Sequence, residues 1–231
     1  MPLPSTSSLN YGYAVSAEQR NRVLRNTYWL LALSLVPTVL GAWLGVATGM
    51  TAALHGGLGI LVFLGGAFGF MFAIEKTKNS SAGVAVLLAF TFFMGLMLSR
   101  LIGAVLGFSN GAELIMIAFG GTAAVFFAMA SLSTVIKRDL SGMGKWLFVG
   151  AIMLLAAGVI NIFVQSTAAM LALSVAAIGI FSAFMLYDLK RIVDGGETNY
   201  ISATLALYLD IFNVFQSPVS YTHLRAHETS L

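Results

Sequence analysis

Seven times along this chain, a run of about 20 mostly apolar residues gives way to a short polar or glycine-rich connection. A run of roughly that length crosses a hydrocarbon core about 30 Å thick as a helix. No water is available there to satisfy the backbone, so each crossing must make its hydrogen bonds within itself. The predicted spans lie at about 27–48, 53–74, 82–107, 112–136, 146–165, 168–192 and 201–218. Connections such as "EKTKNSS", "GFSNGAE" and "KRDLSGMGK" are too short for anything but antiparallel neighbours. Only 9% of the residues are charged and 58% are hydrophobic, against about 25% charged in a soluble domain. The expected fold is all-α: a polytopic membrane protein with a seven-helix transmembrane bundle over residues 26–218.

Composition excludes several functions. The chain has no cysteine, so a disulfide framework or thiolate metal site cannot form. A net charge of +3 is small and does not point to nucleic acid, which is not an expected partner, and the expected surrounding is a lipid bilayer. Residues 1–25 are polar and serine-rich, without the basic start and apolar core of a secretory signal. They read as a flexible cytoplasmic segment.

The basic residues set the orientation. Arg20, Arg22 and Arg25 precede the first span; Lys76 and Lys78 follow the second. Lys137, Arg138 and Lys145 lie between the fourth and fifth, and Lys190 and Arg191 close the sixth. These are alternate connections, and the opposite loops hold no Lys or Arg. The positive-inside rule then puts the N-terminus in the cytoplasm.

The ending has a different character. "VSYTHLRAHET", Val219 to Thr229, is what one reading frame of a common transposase sequencing adapter encodes. Residues 219–231 are therefore expected to be a non-native tail, leaving the seventh span truncated at roughly 17 residues, the lower limit for a crossing. His223 and His227 stand at metal-ligand spacing, i and i+4, but fall inside this stretch. The remaining histidine, His55, is alone in an outer loop.

Ionisable residues inside spans are the candidates for function, because a charge at the bilayer centre costs at least about 2.5–3.5 kcal/mol. Arg100 ends the third span and Glu113 begins the fourth, and an outer ion pair between them is the plain expectation. Asp188, in "FMLYDLKRIV", and Asp210, in "LALYLDIFNVF", differ from these. Asp210 lies about nine residues into the seventh span, roughly 13 Å deep. "VDGGETNY" turns the chain back between the sixth and seventh spans, with Gly195 and Gly196 giving the tight geometry. Both aspartates then lie at similar depth on the two arms of a hairpin. Asn213 follows Asp210 by three and is expected on the same side. The alternative is that each aspartate is satisfied separately by a backbone donor or a lysine.

"NRVLRNTYWLLALSL" and "LYDLKRIVDGGETNYISATLALYLDIFNVFQS", with the seven-span layout, resemble the bacterial branch of the Bax inhibitor-1, or transmembrane BAX inhibitor motif, family. The resemblance runs from about residue 21 to 217. It implies that Asp188 and Asp210 form the paired aspartates of a pH-sensitive calcium leak, and it also implies a role in modulating the FtsH membrane protease. Either would place the chain in the bacterial inner membrane. Physically, two adjacent carboxylates in a low-dielectric site cannot both ionise cheaply, so they would share a proton or take up a cation. Calcium prefers six to eight oxygens, so two aspartates and Asn213 would hold it weakly, which suits passage rather than storage. No resident cofactor is expected, only transient calcium. The chain is not expected to be an enzyme: the remote alternative, an intramembrane aspartyl protease, would need Gly-x-Gly-Asp where "LYLD" stands.

Pro37 is expected to kink the first span. Gly65 and Gly69 make a small-xxx-small face, for packing inside the bundle or for a dimer.

The orientation is testable because the chain has no cysteine of its own. A membrane-impermeant thiol reagent added outside should label Asn110→Cys and miss Lys145→Cys; the reverse pattern would invert the topology.

Overall fold

The computed structural model describes residues 16–51, 54 and 56–228. Residues 1–15 of the expected flexible segment, His55 and residues 229–231 of the expected tail lie outside the described residues. The described residues form seven helices and no strand: α1 (Ala17–Thr48), α2 (Gly56–Thr77), α3 (Ala82–Leu106), α4 (Gly111–Val135), α5 (Met143–Val164), α6 (Thr167–Asp194) and α7 (Tyr200–Glu228). Helices α1 to α6 are long and apolar enough to cross a membrane.

Two boundaries differ from expectation. Helix α1 begins at Ala17, so residues 17–25 are helical rather than flexible. Ser16 caps the helix by accepting the Gln19 N–H at 3.1 Å, and Val23 is already buried. Helix α7 does not stop near Pro218 but continues to Glu228, and Val219 packs with Val105 and Ala118. Pro37 lies inside an uninterrupted α1.

The exterior is apolar, as lipid exposure demands. Trp29, Leu61, Trp146 and Phe163 are each more than 70% exposed. Helix α5 buries none of its residues and packs only on α6. The interior is organised around α7, which touches α1, α2, α3, α4 and α6. Ile201, Ala203, Thr204, Leu207, Tyr208, Asp210, Phe212 and Val214 are all buried, spread around its circumference. A helix buried on every side is a central helix. This placement explains its composition: α7 is shielded from lipid, so it can carry Asp210, Asn213 and Gln216 where the outer helices carry apolar side chains.

The closest packing joins α1 to α3. A Cβ on Gly41 would overlap the Phe92 carbonyl, and one on Gly95 the Thr38 carbonyl. Gly45 makes room for Ser99, whose hydroxyl bonds Thr51 at 2.9 Å. Helix α3 runs through Ser99 and Arg100 without a break. Gly65 and Gly69 do not serve internal packing. A Cβ added to either would meet nothing within 4 Å, and both face outward, whereas Gly66 receives the Phe93 ring.

Gly95→Val should therefore cost about 1–3 kcal/mol or more through backbone overlap, read as a lower melting temperature in detergent. Gly65→Val should stay within about 0.5 kcal/mol. Equal effects would contradict this account of the α1–α3 contact.

Candidate functional site

The turn between α6 and α7 builds the site. Gly195 takes φ 82°, a left-handed conformation that glycine adopts without strain, and closes α6. The N–H groups of Gly196 and Glu197 return to the Arg191 carbonyl at 2.8 and 3.1 Å. Asn199 then starts α7, its side-chain oxygen accepting from the N–H groups of Ile201 and Ser202 at 2.9 and 3.1 Å. Its amide nitrogen donates to the Lys78 carbonyl and to Asn79 Oδ1, both at 3.0 Å. One side chain thus caps α7 and ties it to the α2–α3 turn. Arg20 of α1 adds a bond to the Val193 carbonyl at 3.3 Å.

This hairpin brings Asp188 and Asp210 together. Their carboxyl groups lie close enough for each to act on the other. Asp210 is 5% exposed, and its Oδ2 is buried without a hydrogen-bond partner among the described residues. The Asp188 side chain is 13% exposed and nearer the basic end of the bundle. A lone ionised carboxylate in Asp210's position would be very costly, so the pair must hold a proton, a water or a cation between its oxygens. Two carboxylates supply at most four oxygens, and no third His, Cys, Asp or Glu completes a metal-binding group among the described residues. A calcium ion passing here would have to keep part of its water.

A residue that sequence reading passed over completes the arrangement. Arg191, three residues after Asp188, approaches its Oδ1 at 3.6 Å and Glu197 Oε2 at 3.3 Å, and lies 5.7 Å from the Tyr187 ring centre. The i, i+3 spacing was the available signal. Asp188 therefore has a cation on one side and Asp210 on the other, while Asp210 has no cation beside it among the described residues. Lys190 pairs with Asp194 at 2.6 Å, and Lys78 with Glu75 at 2.5 Å. All four of these ion pairs sit at the basic end. In the α4–α5 loop there, Asp139 accepts the Ser141 N–H and hydroxyl at 2.8 and 3.0 Å, which hold its carboxyl below the usual range.

Asn213 bonds within its own helix, and the outer pair is placed differently from expectation. Asn213 donates to the Leu209 carbonyl at 2.7 Å and lines a cavity between α5, α6 and α7. Arg100 turns towards α2 and donates to the Leu54 carbonyl, and the expected ion pair with Glu113 is not among those formed by the described residues. Glu113 lies in the first turn of α4, where the helix dipole favours a negative charge. Two residues before Asp210 on α7, Tyr208 is fully buried. Its hydroxyl shares a hydrogen bond with Thr38 at 2.9 Å and reaches the Thr91 carbonyl at 3.4 Å, joining α7 to α1 and α3.

Comparison with known proteins adds an independent line. Residues 20–222 match the family described as Inhibitor of apoptosis-promoting Bax1. An uncharacterized membrane protein of Vibrio cholerae is 39% identical over 203 residues, covering 87% of this chain and 89% of its own. The modulator of FtsH protease YccA of Escherichia coli is 38% identical over 200 residues, with the same coverage of both chains. An uncharacterized protein of Neisseria meningitidis is 34% identical over 210 residues, covering 90% and 92%.

Asn199→Ala should remove the α7 cap and the tie to Lys78 together. A cap alone is worth about 0.5–2 kcal/mol, so the melting temperature should fall. Amide exchange should rise first at Ile201 and Ser202. Unchanged protection at those two amides would show that the cap contributes nothing.

Proposed function

Because the chain belongs to the Bax inhibitor-1 family of membrane proteins, we propose that it is a cation leak of the bacterial inner membrane, switched by the Asp188–Asp210 pair. The observation that carries this reading is the buried Asp210 carboxyl, close to Asp188 and with no cation beside it among the described residues. With one shared proton the two carboxyls attract and hold α6 to α7. When both ionise they repel, and the position accepts a cation instead. Acid then closes the path and base opens it. The basic end faces the cytoplasm, so cytoplasmic pH reaches the pair through the less buried Asp188. Arg191 approaches Asp188 from the same helix, α6. Calcium is the cargo, retained too weakly for storage. Peptide hydrolysis is not part of this reading: Leu207 and Tyr208 are fully buried beside Asp210, where a substrate strand would have to lie.

A second reading, modulation of FtsH by direct contact, is favoured by the name of the relative from Escherichia coli. The two are separable. Purified chain in liposomes should pass calcium faster as pH rises. Asp188→Asn and Asp210→Asn should each abolish that pH dependence, and the double variant should be no worse than either single, because the pair acts as one element. If both single variants keep a normal pH-dependent flux, the pair is structural. The lifetime of an FtsH substrate in cells expressing the chain then becomes the decisive measurement.

A further inference from the structure

Helix α5 packs only on α6, which leaves a gap between it and α2. A crevice of about 610 Å³ lies there, floored by Leu98 of α3 and Phe212 of α7. Ile60 of α2 and Leu155, Val159 and Ile162 of α5 flank it, and all four are exposed, so the crevice opens sideways to lipid. From Ile162 to Leu155 it runs seven residues along α5, roughly 10 Å of depth. Its volume falls within the range of about 300–1,000 Å³ usual for ligand sites. Apart from Arg100 and Gln216, the side chains along it are apolar. Such a space offers water few partners, whereas an acyl chain gains contacts with its walls.

The two ends of the crevice differ. Arg100 stands at the end away from the basic loops, six residues before α3 finishes at Leu106. Apart from Arg100, and Arg225 in the expected tail, every Lys and Arg of the chain lies at the basic end. Arg100 is exposed and donates to the Leu54 carbonyl. Gly59 makes room for this: a Cβ there would overlap that carbonyl and stand 3.3 Å from Arg100 Nη1. A guanidinium carries five N–H donors in a fork, enough to hold a carbonyl and a phosphate together. At the edge of a hydrocarbon core such a cation is costly alone and favourable beside a headgroup phosphate. No acidic side chain lines the crevice among the described residues, so a headgroup ammonium would find no carboxylate there.

We propose that this crevice is a binding site for a phospholipid of net negative charge, from the leaflet away from the basic loops, with one acyl chain between α2 and α5 and its phosphodiester on Arg100. The order of polarity matches that of a lipid standing in its leaflet: charge at the far end, apolar wall below it. The site does not depend on the leak reading, since neither aspartate lines it.

Native mass spectrometry of the full chain released from detergent micelles tests the site. Phosphatidylglycerol and phosphatidylethanolamine with identical acyl chains are titrated separately. The chain should retain one phosphatidylglycerol in preference to phosphatidylethanolamine. Arg100→Gln should weaken phosphatidylglycerol retention at least about tenfold, as loss of charged hydrogen bonds does, and erase the preference. Val159→Trp fills the crevice from a helix that buries none of its residues, and should abolish retention of both lipids with Arg100 intact. Leu61→Trp, on an exposed part of α2 outside the crevice, should change nothing. Glycerophosphate, a headgroup without chains, should not displace the bound lipid. Equal retention of the two lipids by the unaltered chain would overturn the proposal. So would unchanged retention in Val159→Trp, an equal loss in Leu61→Trp, or displacement by glycerophosphate at the lipid's own concentration. None of these four outcomes requires Arg100→Gln to fold.

Discussion

A carboxyl group buried at mid-helix, without a cation beside it among the described residues, is the constraint from which the rest of this bundle follows. Asp210 can exist only in a helix that lipid does not touch, and α7 is surrounded by α1, α2, α3, α4 and α6. It can exist only with a partner that accepts or shares a proton, and the tight Gly195–Asn199 turn delivers Asp188 to its level. The buried hydroxyls of the other helices, such as Ser34, Thr91 and Ser99, are satisfied by carbonyls of their own helices.

Asp188 and Asp210 are not equivalent members of the pair. Arg191 lies on the side of Asp188 that faces the basic end, and it also binds Glu197 in the turn. One carboxyl is therefore tied to the basic end of the bundle and the other to the apolar interior. The α6–α7 turn and the Asp188 carboxyl are coupled through a single guanidinium. The Arg20 bond to Val193 and the Asn199 bonds to Lys78 and Asn79 extend that coupling to α1 and to the α2–α3 turn.

Most of the architecture was legible in the sequence because lipid imposes a simple rule. Each apolar run had to be a helix, and six of the seven predicted spans match their helices within a few residues at both ends apart from the longer start of α1. The aspartate pair was legible because a Gly-Gly turn between two antiparallel spans fixes their relative depth. What escaped depends on which way a side chain turns. Arg100 faces α2 rather than Glu113, because rotation about a helix axis is set by packing that spacing alone does not reveal. The glycines show the same limit. Gly65 and Gly69 stand at i, i+4 yet face outward. The backbone-to-backbone approach is made by Gly41, which has that same spacing to Gly45, and by Gly95, which stands alone among large side chains.

That approach divides the molecule mechanically. Where carbonyl meets Cα with no side chain between, two helices cannot slide or roll without breaking contact along their length, so α1 and α3 form a stator. On the far side, α5 is held by α6 alone, across side chains and cavities. A force arising at the carboxyl pair would be resisted on one flank and yielded to on the other, so the bundle is asymmetric in compliance.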